Sequence, residues 1–125
     1  MHDLPSFDTP SLAAAVEALE VADIDELPFG AIRISENGLV AFYSKAEAKL
    51  SGRNDRPALG ANFFVDIAPC FDNPDFLGRI ERARKQGTID IEFGYIGDFD
   101  DLEKEVRVRV QSASDGGYWI FNYRY

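Results

Sequence analysis

This chain has a single cysteine and a single histidine in 125 residues, and that scarcity removes several chemistries at once. One thiol forms no disulfide within the chain, and with one imidazole it builds no Cys/His zinc cluster. A cysteine hydrolase needs an imidazole or an equivalent base at hydrogen-bond distance from sulfur, and the only histidine, His2, lies near a terminus. A redox thiol would need a resolving cysteine, which the sequence lacks. Basic residues are also few: 13 Lys and Arg against 22 Asp and Glu, a net charge of −9. Nucleic acids and anionic membranes select the opposite balance. No stretch approaches the ~20 apolar residues that span a bilayer, and the start lacks a basic-then-apolar signal pattern. A cytoplasmic protein is the expectation.

What is present suits one packed domain. Hydrophobic residues make up 46% of the chain and aromatics 13%, ample for a core at a length that buries about two-thirds of the unfolded surface. Thr9-Pro10-Ser11 reads as a helix start, with Thr9 the cap and Pro10 at the first helical position. Leu12, Val16 and Leu19 then share one face of a short helix, and Asp23 to Leu27 adds a turn. Phe29 to Ile34 and Leu39 to Tyr43 flank Asn37-Gly38, a hairpin signal. Lys45 to Leu50 is rich in helix formers. Asn62 caps a turn that Pro69 ends, and Asn73-Pro74 opens a helix whose inner face is Phe76, Ile80 and Ala83 and which stops at Gly87. Ile89 to Ile96, Glu105 to Gln111 and Tyr118 to Tyr125 read as strands. Val106, Val108 and Val110 alternate with Arg107, Arg109 and Gln111, the period of a sheet with one wet face. Arg107 and Arg109 are read as that solvated face, and Gly97 to Glu103 as an acidic loop. With no βαβ alternation, the fold class is α+β with an antiparallel sheet of about five strands.

Two features carry chemistry. The first is Cys70, which closes the run Asn62-Phe63-Phe64-Val65-Asp66-Ile67-Ala68-Pro69-Cys70. Without a partner base it is either an attachment point or an inert buried thiol. The second is Tyr43, Glu47 and Ser51, spaced by four, so that a helix puts them on one stripe. That stripe is either a solvated face or a buried polar network, with Arg53 nearby as a counter-charge.

Four blocks then narrow the choice: Leu27-Pro28-Phe29-Gly30-Ala31-Ile32, Tyr43-x3-Glu47-x3-Ser51-Gly52-Arg53, Gly60-x-Asn62-Phe63-Phe64-x-Asp66-x-Ala68-Pro69-Cys70 and Tyr118-Trp119-x-Phe121. In this order and spacing they resemble the photoactive yellow protein family from about Leu27 to the C-terminus. The resemblance implies a PAS fold, with residues 1–26 an N-terminal helical cap and 27–125 the core. It implies a 4-hydroxycinnamic (p-coumaric) acid chromophore bound to Cys70 as a thioester. Tyr43 and Glu47 would bond its phenolate oxygen, Ser51 would brace Tyr43, and Arg53 would close the pocket. Phe63 and Tyr95 would flank the chromophore, while Phe93, Trp119 and Phe121 are read as core.

A buried phenolate is costly unless donors are arranged around it. Desolvation and like charge both disfavour a second anion beside it, so Glu47 is expected to keep its proton and donate. The implied signalling events are trans–cis isomerisation, proton transfer from Glu47 to the phenolate and partial unfolding of the N-terminal helix. The chain would act as a blue-light photoreceptor rather than an enzyme. It would be a monomer or weak dimer and pass its signal to an unknown downstream protein. The alternative is a chromophore-free PAS module that binds a ligand or a protein.

The chain departs from the family pattern at several points. Ser51 stands for threonine, Ser44 for asparagine, and Phe71 for a small polar residue. Phe99 stands for tyrosine, and Asp101, or Leu102 with a one-residue shift, stands for a methionine that speeds dark recovery. Slow recovery is the expectation.

Overall fold

The structure is a computed structural model. It describes residues 4–51, 58–99 and 102–124, without the side chains of 50, 97–99, 102–104 and 124. Arg53 and Asp101 lie outside the described residues.

Five strands form one antiparallel sheet: β1 (Gly30–Ile34), β2 (Val40–Tyr43), β3 (Asp90–Phe99), β4 (Leu102–Ser112) and β5 (Tyr118–Arg124). Their spatial order is β2-β1-β5-β4-β3, which brings the C-terminal strand to the centre. Asn37-Gly38 turns the first hairpin, with Gly38 at φ 84°, where glycine carries no steric penalty. Gly97 to Phe99 and Leu102 to Glu103, read as loop, are strand instead. Their backbone continues the β3–β4 ladder through Gly97–Lys104, Asp98–Glu103 and Phe99–Leu102.

The register sorts side chains by the two-residue period of each strand. One face carries Ile32 and Ile34, Val106, Val108 and Val110, Phe93, and Tyr118 and Ile120. Helices α3 (Lys45–Leu50) and α4 (Leu77–Lys85), with a π-helical turn (Phe63–Ile67) and a 3-10 turn (Pro69–Phe71), belong with this face. Phe76 and Ile80 of the α4 region are fully buried here, and Gly87 follows the helix at φ 111°. Asn62 does not cap the π turn with its side chain; instead Asp66 Oδ2 reaches back to accept from the Asn62 N–H at 3.1 Å.

The other face holds a second cluster: Phe7, Leu12, Ala13, Val16, Ile24, Leu27, Phe29, Trp119 and Phe121. Helices α1 (Leu12–Glu17) and α2 (Val21–Ile24) cover it. Arg109 corrects the reading of a solvated face, being only 8% exposed. Its Nη1 donates to the carbonyls of Phe7 at 2.7 Å and Thr9 at 2.8 Å. The irregular segment before α1 has carbonyls that no ladder satisfies, and a guanidinium can serve two of them. Arg107, in contrast, stays near the surface between Asp8 and Glu92. Thr9 does not cap α1: Ser11 holds that position at φ 51°, and Gln111 Oε1 accepts from the Ala13 N–H at 2.7 Å instead. Among the described residues no helix is long and apolar enough to cross a membrane.

Candidate functional site

Ser44 ends β2 and starts α3, and it is fully buried. Its Oγ accepts from the Glu47 N–H at 3.2 Å, the usual N-cap bond. The same oxygen accepts from the Ala31 N–H at 3.0 Å, and the Ser44 N–H donates to the Ala31 carbonyl at 2.9 Å. The helix start is thereby stitched to β1, and a serine does the capping where an asparagine was the family's pattern.

This anchoring sets the stripe. Tyr43 Oη and Ser51 Oγ lie 3.1 Å apart, so the structure brings these two hydroxyls together across one helical segment. Glu47 points inward and is 3% exposed, which removes the solvated-face alternative for this carboxyl. Room for it comes from Gly30: a Cβ there would collide with Glu47 Oε1 and press on its Cβ. Beneath the carboxyl, Asn122 Nδ2 donates to Glu47 Oε1 at 3.2 Å.

Cys70 sits in the 3-10 turn with an exposed side chain. Its carbonyl is held twice, by Asn73 Nδ2 at 2.9 Å and by the Tyr95 hydroxyl at 3.3 Å. Asn73 Nδ2 also lies 2.7 Å from Tyr95 Oη. The turn is therefore fixed through its backbone while the thiol stays accessible. Phe71, the bulkier residue after the cysteine, is accommodated by stacking on Phe76 with ring centroids 4.2 Å apart. It meets Tyr95 edge-on at 5.3 Å. Phe63 is buried beside it, 6.4 Å away. The Cys70 end and the Glu47 end share one support, because Phe63 and Phe71 belong to the cluster on which Tyr43 and Tyr95 pack. Tyr118 belongs to that cluster too. Burial pushes its phenol up to about 12, Arg84 opposing and Glu81 adding, so it packs as a neutral ring.

The sequence reading missed Asn122. A signal existed: Tyr118-x-Ile120-x-Asn122 puts an amide at an interior position of a strand whose other inward residues are apolar. At 1% exposure it is as buried as the core around it.

No family model matches the chain. Curated proteins do. It is 36% identical over 120 residues to the photoactive yellow protein of Rhodothalassium salexigens, covering 95% of this chain and 96% of that one. It is 32% identical over 116 residues to that of Halochromatium salexigens, covering 92% and 93%. Among solved structures, the photoactive yellow protein domain from the sensor histidine kinase Ppr of Rhodospirillum centenum superposes with a TM-score of 0.80 at 35% identity. That match covers 89% of this chain and 98% of the other. The five-stranded antiparallel sheet with its few helices is thus the PAS fold, and the chain belongs to the photoactive yellow protein family.

Proposed function

We propose that this chain is a blue-light photoreceptor whose p-coumaric acid chromophore is thioester-linked to Cys70. The observation that carries the reading is a buried carboxyl, Glu47, four residues from Tyr43, whose ring packs on the aromatic cluster that holds Phe71, the residue after Cys70. Two O–H groups at one end of an apolar, aromatic-lined region suit a phenolate. An exposed thiol on a backbone-fixed turn suits attachment of the other end. The donor set therefore fits the group.

When bound, the chromophore supplies light absorption and a double bond that isomerises. Everything else falls to the chain. Tyr43 donates to the phenolate and Ser51 keeps its hydroxyl in place. Glu47 donates while it holds its proton, and releases that proton to the phenolate oxygen after the light step. Phe63 and Tyr95 are the walls of the pocket, and Arg53, outside the described residues, is assigned the role of closing it by the family resemblance alone.

A deprotonated Glu47 is then a buried charge. Its cost, on the order of several kcal/mol, is a large share of the ~5–15 kcal/mol that holds a typical domain together. The N-terminal segment is the part that yields. With six residues, α1 is too short to persist as an isolated helix. Release of that segment is the signal, read by a downstream protein in the cytoplasm; in the Rhodospirillum centenum relative the corresponding domain is part of a sensor histidine kinase.

The test is to mix the protein with an activated p-coumaric acid derivative, record its spectrum in dark and light, and weigh it. The expected result is a cinnamyl adduct on Cys70 and a blue band that bleaches in light and recovers in the dark. Both should be absent in Cys70→Ala. An accessible thiol that takes no chromophore would leave the chromophore-free PAS module.

A further inference from the structure

Asn122 is where the packing breaks its own rule. Its neighbours in the ladder are Gly30 of β1 and Val108 of β4, and Ile120 is the previous residue on its face. An aliphatic residue would continue this surface. Instead the amide is buried, Nδ2 donates to Glu47 Oε1 at 3.2 Å, and Oδ1 has no partner among the described residues. A buried acceptor without a partner costs stability, so packing does not account for the amide. Its one made bond does, and that bond ends on the carboxyl the proposed photochemistry uses.

We propose that Asn122 is a positioning residue for Glu47. Its amide N–H holds the carboxyl against the bare backbone of Gly30 and stabilises it once its proton has gone. The second half rests on the photoreceptor reading; the first does not. A hydrogen bond to an ionised oxygen is stronger than one to a neutral carbonyl, so the amide favours the deprotonated form over the protonated one. The Asn122 amide reaches the carboxyl from the central strand β5. On the α3 side lie Tyr43 and Ser51, Lys45 and Lys49 face solvent, and the strands present Gly30, Val108 and Ile120.

The test compares Asn122→Val with Asn122→Thr, two β-branched residues that suit a strand and differ by a hydroxyl. In protein without chromophore, the infrared band of the Glu47 carboxyl is identified by its loss in Glu47→Gln. Val is expected to move that C=O band to higher frequency, and Thr, which keeps a donor, to return it toward the unsubstituted position. In loaded protein, the flash-induced ratio of deprotonated to protonated Glu47 should fall about tenfold or more in Val and largely recover in Thr. Val and Thr leaving the band where Asn122 puts it would overturn the proposal. So would equal shifts in the two variants. If the band moves as expected in the chromophore-free protein but no loading occurs, the positioning role stands and the photoreceptor reading fails.

Discussion

The two faces of the sheet are fastened by opposite means. The face toward α3 and α4 is held by apolar and aromatic contact, and its few polar groups gather around Glu47 and Cys70. The face toward the N-terminal segment has an apolar centre too, with Trp119 and Phe121 stacked at 5.7 Å. Around that centre runs a ring of polar ties from the sheet to the segment. Arg109 holds the carbonyls of Phe7 and Thr9, Gln111 holds the Ala13 N–H, and Trp119 Nε1 donates to Glu17 Oε2 at 3.0 Å. Burial by contact tolerates no slack, whereas a segment held by discrete bonds has a defined way to let go. On the proposed function, the first face holds a charge in one place and the second is the one that lets go.

That contrast can be broken, and the largest expected effect is at Arg109. Arg109→Met fills similar space but leaves two carbonyls unserved, so it should cost about 3 kcal/mol in denaturant unfolding, with the loss concentrated in the N-terminal segment. A uniform loss across the sheet would mean that the face is not fastened by bonds.

Gly30→Ala tests the other face. Its Cβ would strike the Glu47 carboxyl, which is too buried to swing into water. We expect about 2 kcal/mol of destabilisation from overpacking, together with displacement of Glu47 visible in its infrared band. An unchanged band would show that the carboxyl does not rest on Gly30.

Glu17 gives a smaller effect with a pH signature. Burial opposes its ionisation, but bonds from Ser114 and Trp119, with Arg33 nearby, outweigh that and hold the carboxyl below the usual carboxylate range. A depressed folded value means the contribution is fully present above the ordinary range and is lost as pH falls through the folded one. Glu17→Gln should cost about 1 kcal/mol at neutral pH and flatten the acid limb of stability. Equal acid sensitivity in the variant would remove Glu17 from the account. Smallest is Asp8→Asn: the Arg107 partner is 69% exposed, and its loss should change stability by less than ~0.5 kcal/mol.

The same contrast explains what the sequence disclosed. Asn37-Gly38 and the Val106, Val108, Val110 alternation are local patterns, and local physics decides them. So is the spacing of Tyr43, Glu47 and Ser51, although only the fold decides that Glu47 turns inward. Arg109 was misread because an alternating strand says which residues share a face and nothing about what covers it; the cover comes from residues about a hundred positions away. Thr9 obeys the grammar of a helix start, yet a glutamine from β4 supplies the α1 bond. Asn122 was visible as a polar residue on an apolar period, but strand ends so often face water that its burial is a tertiary fact.

The account stands or falls on whether light absorbed at one face loosens the other. Hydrogen–deuterium exchange of the chromophore-loaded protein, in the dark and under blue light, reads this directly. The prediction is that amides from Phe7 to Glu17 lose protection in light and regain it in the dark, while β1, β4 and β5 stay protected. Bleaching of the band with unchanged exchange across Phe7–Glu17 would contradict it.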